Sequence, residues 1–162
     1  MKRTISMLLA ATIATTALAA PTATAARQQN IVQVAAANRQ FTTLVRLLRA
    51  AGLVRALSGD AKLTVLAPTN AAFAKVPKRT LDALAQDRRA LRRVLLYHVI
   101  RGAVPARTVV TLRSAPTLAG PRVAIRVHGK NVFVNRAQVV KTDIKASNGI
   151  VHALNGVLLP PS

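Results

Sequence analysis

The hydrophobic period changes once along this chain, and the change falls near Gly102. Before it, apolar residues recur at helical spacing. Phe41, Leu44, Val45 and Leu48 stand at i, i+3, i+4 and i+7, one stripe of a helix, with Arg39, Arg46 and Arg49 off it. After it, apolar residues alternate. Val123, Ile125 and Val127 interleave with Arg122, Ala124, Arg126 and His128, the pattern of a strand with one dry face. A helical first half followed by an antiparallel second half predicts an α+β domain.

Punctuation residues divide both halves. Asn30 is an N-cap for a short helix through Ala36, and Asn38 for the striped helix that Gly52 ends. Leu53 to Leu57 offers another helical turn. Leu63 to Ala67 is short, apolar and bounded by breakers, so it reads as a buried strand. Thr69 or Asn70 caps a small helix ending near Lys75, with Phe73 inward. Pro77 starts a helix over Lys78 to Ala85, and Asp87 caps the next. In the second half His128-Gly129-Lys130-Asn131 is a turn. Val132 and Val134 then face one way and Phe133 the other. Ala137 to Ile144 is a further strand, Ser147-Asn148-Gly149 a turn, and Ile150 to Leu159 one or two last strands before Pro160-Pro161. No internal repeat or second boundary interrupts residues 28–161, which read as one domain.

The N-terminus has a different character. Lys2 and Arg3 precede an apolar run from Ile5 to Leu18 that Pro21 breaks, and small-x-small sites end at Ala19 and Ala25. Residues 1–25 thus read as a secretory signal peptide, cleaved after Ala19 or Ala25. A retained membrane anchor needs about 20 apolar residues, and this run is shorter and interrupted by Thr. No second apolar span follows, so no transmembrane segment is expected after signal removal. The chain has no Cys, so an exported product must be held by its core alone. That core is Leu, Val, Ile and Ala, since Phe41, Phe73, Tyr97 and Phe133 are the whole aromatic complement.

Charge is the least ordinary feature. Glu is absent, the acidic residues are Asp60, Asp82, Asp87 and Asp143, and the net charge is +20. Losing Lys2 and Arg3 with the signal leaves +18. Such a balance favours polyanions as partners. Because the arginines are scattered through every segment, a biased composition fits as well as selection for binding.

One stretch concentrates the candidate chemistry: DRRALRRVLLYHVIRG, from Asp87 to Gly102. Leu91, Val94, Leu95 and His98 share the dry stripe of its helix. Arg88, Arg89, Arg92 and Arg93 occupy the opposite, wet side, where they form a solvated face and a compact cationic ridge. His98 is then a core histidine, hydrogen-bonded at a helix end. A metal site needs ligands at close spacing, whereas His98, His128 and His152 are far apart and have no Cys to join them. Asp143, Ser147 and His152 lie within ten residues and could suggest a hydrolase. No strand-turn-helix elbow or oxyanion loop accompanies them.

Three stretches, in order, carry a resemblance. Thr64-Val65-Leu66-Ala67-Pro68-Thr69-Asn70-Ala71-Ala72-Phe73 is similar to the first signature of fasciclin (FAS1) domains. Tyr97-His98-Val99-Ile100 is similar to their central Tyr-His motif, and Asn148-Gly149-Ile150-Val151-His152-Ala153-Leu154-Asn155-Gly156-Val157-Leu158-Leu159-Pro160 to their second signature. The resemblance implies a FAS1 β-wedge of about seven mostly antiparallel strands, with several short helices packed N-terminally. It implies that the two signatures are neighbouring core strands with the Tyr-His motif beside them. Thr64, Thr69, Asn70, Tyr97, His98 and His152 become scaffold residues, with Thr64, Thr69, Asn70 and His98 supplying the hydrogen bonds of a buried strand-to-helix turn. Asp143-Ile144 matches a pair tied to adhesion in the family. Its plainer reading is a strand end with Ile144 inward. Two departures are visible: Ala71 or Ala72 stands where an acidic residue is usual, and Asn155 where Asp is usual.

The resemblance thus implies an extracellular adhesion or matrix-binding module, with no catalytic residues, cofactor or metal. The basic surface adds an expectation: anionic cell-surface polymers or matrix polysaccharide as partners, through Arg88, Arg89, Arg92 and Arg93, alongside a possible surface protein receptor at Asp143 and Ile144. The alternatives are a non-specific binder of nucleic acid or other polyanions and, behind it, a hydrolase. No specific nucleic acid is expected, because base stacking needs positioned aromatics and the chain has four.

Overall fold

The computed structural model describes residues 29–161. The expected signal peptide therefore lies outside the described residues. Helix α1 (Ile31–Ala37) begins at a capping box in which Asn30 and Gln33 each accept the other's backbone N–H, at 2.9 and 3.0 Å. Asn38 opens a 3-10 turn, Arg39–Phe41, which runs directly into α2 (Thr42–Ala51). The striped segment is thus a turn plus a helix, the turn placing Phe41 fully inside the core. Gly52 ends α2 in the left-handed region, at φ 70°. There follow α3 (Val54–Leu57), β1 (Leu63–Pro68), α4 (Asn70–Ala74), α5 (Lys78–Gln86) and α6 (Arg88–Tyr97). Asp87 caps α6 by accepting the N–H groups of Arg89 and Ala90.

Three short elements interrupt the expected second half: β2 (Val99–Arg101), α7 (Ala106–Val109) and β3 (Ser114–Pro116). Each is three or four residues, too few to display a period. The hairpin β4 (Arg122–His128) and β5 (Asn131–Val134) stands as expected, followed by β6 (Ala137–Ala146) and β7 (Gly149–Leu154). The last strand stops at Leu154, so residues 155–161 form no second strand.

The seven strands run in the order β2-β1-β7-β6-β5-β4-β3. Every pairing is antiparallel except the second in that order, where β1 and β7 lie parallel from Leu63↔Gly149 to Pro68↔Leu154. The two signature segments are therefore adjacent strands. The sheet curls until its edges meet: Ile100 bridges Thr117, and the Leu118 N–H donates to the Val99 carbonyl at 2.9 Å. Helices cover one side of the sheet, where Phe41, Leu44, Leu91 and Leu95 pack with Val65, Ala67, Val151 and Ala153. A second cluster fills the curl, with Leu66, Ile100, Val123, Val134 and Leu154. Strand β1 faces both clusters, which is why its sequence is continuously apolar rather than alternating.

Two close approaches hold the centre. A methyl group on Gly149 would run into the Leu63 carbonyl, so β1 and β7 can begin side by side only with glycine there. Asn148 is buried, and all its polar atoms are used. Its Oδ1 accepts the Ile31 N–H at 2.9 Å, while Nδ2 donates to the carbonyls of Leu57 at 2.7 Å and Gly59 at 2.9 Å. One side chain thus joins the start of α1, the end of α3 and the turn into β7.

Candidate functional site

The polar residues singled out by the sequence fall into an interior set and an exterior set. Tyr97, His98 and His152 are buried, as are Thr64 and Thr69. His98 ends α6. Its Nδ1 lies 2.7 Å from the Val94 carbonyl, and its Nε2 accepts the backbone N–H of Leu158 at 2.8 Å. These partners demand the neutral ring with its proton on Nδ1. Burial drives the same way: desolvation, opposed by the hydrogen bond to Val94, lowers the imidazole from its ordinary 6.5 to about 4.

His152 carries the opposite tautomer. Its Nε2 donates to the Val104 carbonyl at 2.9 Å, and its Nδ1 accepts the Asp143 N–H at 3.2 Å. The Asp143 carboxylate faces elsewhere, accepting the Ala106 N–H at 2.9 Å at the start of α7. Thr64 completes this strap on the 102–106 loop, donating to the Gly102 carbonyl at 2.6 Å and accepting the Val104 N–H at 2.7 Å. Asp143, Ser147 and His152 therefore form no relay: the carboxylate caps a helix, and both imidazole nitrogens engage main chain.

The strand-to-helix turn after β1 is served differently from the expectation. Thr69 alone caps it, its hydroxyl accepting the Ala72 N–H at 3.2 Å. Asn70 turns toward α2, donating to the Arg39 carbonyl and the Thr42 hydroxyl and accepting the Thr43 N–H. Thr64 and His98 serve the loop and the C-terminal segment described above. The reason is geometric: Thr64 stands five residues before Thr69 on an extended strand, about 16 Å along the chain, so it cannot reach the turn.

Tyr97 acts with a residue the motifs did not single out. Its hydroxyl donates to the Arg122 carbonyl at 3.3 Å and accepts Asn135 Nδ2 at 3.0 Å, while Asn135 Oδ1 accepts the Ala124 N–H at 2.8 Å. Asn135 sits at φ 54°, a conformation Asn tolerates better than most side chains. An Asn immediately after the Val132–Val134 alternation was the available signal. Every buried side-chain nitrogen and oxygen among the described residues has a partner.

The exterior set is less uniform than a single ridge. Arg88, Arg89, Arg92 and Arg93 are all exposed. Arg88 Nη2 lies over Gly52, and Arg92 Nη1 donates to the Ala51 carbonyl at 3.2 Å, so both sit at the C-terminal, partly negative end of α2. Arg93 reaches across to the Pro161 carbonyl at 3.2 Å. Asp143 occupies a bulge in β6, between the pairs Lys141↔Ala153 and Ile144↔Val151, at φ 55°. Ile144 is half-buried against the helical core cluster. No group of three His, Cys, Asp or Glu side chains able to hold a metal occurs among the described residues. No described helix is long and apolar enough to cross a membrane.

A nearly closed seven-stranded sheet, with its two signature strands adjacent and parallel and a Tyr-His pair buried beside them, defines an α+β module whose buried polar groups are spent on holding the fold. The Fasciclin domain family matches residues 39–160, and the chain belongs to that family. It is 43% identical to protein sll1483 of Synechocystis over 133 residues, covering 81% of this chain and 73% of that one. It is 37% identical to the immunogenic protein MPB70 of Mycobacterium bovis, covering 90% and 79%. It is 34% identical to the transforming growth factor-beta-induced protein ig-h3 of Sus scrofa, spanning 82% of this chain but 20% of that protein. A FAS1 domain pair from the insect cell adhesion molecule Fasciclin I superposes with a TM-score of 0.60 at 20% identity, covering 75% of this chain and 46% of that one. The last likeness is one of fold.

Proposed function

We propose that this protein is an exported, non-enzymatic adhesion or matrix-binding module. Its basic exterior docks on anionic polymers of a cell envelope or on acidic polysaccharide. The supporting observation is the division of labour among its polar groups: Tyr97, His98, His152 and the Asp143 carboxylate are committed to internal hydrogen bonds, while Arg88, Arg89, Arg92 and Arg93 are exposed. Family membership adds to it, since the insect FAS1 domain pair of the same fold comes from a cell adhesion molecule. In a chain of net charge +20 with four acidic residues, attraction to a polyanion needs no pocket.

The experiment is a salt series with polyphosphate and oligogalacturonate as probes. Affinity falls steeply with salt as counterions are released. Changing Arg88, Arg89, Arg92 and Arg93 together to Gln lowers the slope of log affinity against log salt by about one per contact removed. An unchanged slope removes these four from the binding surface, and no binding by the wild type at low salt removes the polyanion reading.

A further inference from the structure

Phe133 is placed unlike the other aromatic rings of the chain. Phe41, Phe73 and Tyr97 are buried in the two cores. Phe133 lies on the opposite face of β5 from the buried Val132 and Val134, and it is only partly covered. The strand registers determine what surrounds it. Arg126 of β4 is its direct partner on one side and Gln138 of β6 on the other. Directly opposed residues share a face of the sheet, about 5 Å apart at Cβ. The His128 and Phe133 rings meet in a T-shaped pair, with centroids 5.9 Å apart and planes at 73°. Asn131, two residues before it on the same face, accepts Gln138 Nε2 at 3.1 Å. The ring thus has Arg126 as its strand partner on one flank, an imidazole at one end and a paired amide ladder on the other flank.

This set matches a charged sugar. The face of an aromatic ring carries partial negative charge, and the axial C–H groups on one side of a pyranose carry partial positive charge, so the two stack. The Asn131–Gln138 hydrogen bond uses one donor and one acceptor. Among the described residues it leaves Asn131 Nδ2 and Gln138 Oε1, a donor and an acceptor, available to neighbouring hydroxyls. Arg126 supplies the fork that a carboxylate binds in two-point fashion. Residues 122–138 contain Arg122, Arg126, Lys130 and Arg136 and no acidic side chain. One platform ring suits one sugar unit, whereas a single-stranded nucleic acid is held by successive stacked bases.

We infer that the outer face of β4, β5 and β6 around Phe133 is a subsite for one uronate ring of an acidic polysaccharide, stacked on Phe133 with its carboxylate on Arg126. The inference rests on the polyanion reading and gives it a substrate class and a place.

The test uses trigalacturonate, polyphosphate (an anion without rings) and oligothymidylate, titrated by calorimetry into wild type, Phe133→Leu, Arg126→Gln and, as a distant control, Arg79→Gln on α5. Phe133→Leu is expected to weaken trigalacturonate about tenfold and leave polyphosphate unchanged. Arg126→Gln is expected to weaken trigalacturonate more than Arg79→Gln does, and it carries the test alone should Phe133→Leu lower the melting temperature. Wild-type affinity for trigalacturonate in both Phe133→Leu and Arg126→Gln overturns the subsite while leaving the polyanion reading intact. Failure of the wild type to bind either anion overturns both. A loss in Phe133→Leu confined to oligothymidylate makes the ring a nucleotide platform and overturns the sugar assignment.

Discussion

His98 Nε2 accepts the backbone N–H of Leu158 at 2.8 Å across a separation of 60 residues, so the end of α6 is fastened to the C-terminal segment by one neutral imidazole. A second proton on the ring would point N–H at N–H. The folded protein therefore holds His98 at about 4, against 6.5 for the free side chain.

The first prediction concerns acid. The folded value lies below the unfolded one, so between pH 6.5 and about 4 the unfolded chain binds the extra proton. Stability is full above pH 6.5 and declines as pH falls toward 4, after which this group contributes no further slope. The shift corresponds to about 3 kcal/mol. Urea melts at a series of pH values should show that loss in the wild type, and His98→Gln should lack most of it whatever its stability at neutral pH. An equal acid slope in both proteins would remove His98 as the cause.

The second prediction separates two roles of Asp143. As a cap on α7 in a left-handed bulge, it can be replaced by Asn, which accepts the Ala106 N–H and tolerates the same backbone. Asp143→Asn is expected to stay within about 0.5 kcal/mol of wild type, and Asp143→Ala to lose about 1–2 kcal/mol. Equilibrium urea unfolding measures both. Equal losses would mean that the charge, not the cap, matters.

The third prediction concerns Asn148. Truncation to Ala strands the Ile31 N–H and the carbonyls of Leu57 and Gly59 in the interior. A loss of about 3 kcal/mol is expected. Asp should rescue little, because it cannot donate to the two carbonyls. Amide hydrogen exchange at Ile31 reads the break directly, and an undiminished protection factor in Asn148→Ala would refute it.

Much of the local structure was legible. The caps at Asn30, Thr69 and Asp87 act where short polar side chains before apolar runs predict them. The amphipathic helix from Asp87 has its dry and wet sides as the spacing of Leu91, Val94 and Leu95 against the arginines requires. The alternation in β4 and β5 also reads correctly, since one face of that hairpin is wet. What escaped was short or doubly buried. Strands β2 and β3 are three residues each and exist because they close the sheet. The bulge at Asp143 has no local marker, and Asn135 and Asn148 look like any turn asparagine.

The sequence by itself determined where helices begin, which faces are dry, how basic the chain is and, through three ordered motifs, which family the chain joins. These are properties of neighbouring residues, set by backbone capping and by the periods of helix and strand. Only the tertiary structure decided that Leu63–Pro68 and Gly149–Leu154 run parallel, that His98 and His152 hold opposite tautomers, and that Phe133 stands between Arg126 and Gln138. The parallel pair and the contacts His98–Leu158 and His152–Val104 join segments far apart in sequence, and even the nearby partners of Phe133 depend on strand register; the partner of a strand or a ring nitrogen is settled by packing, which no local pattern encodes.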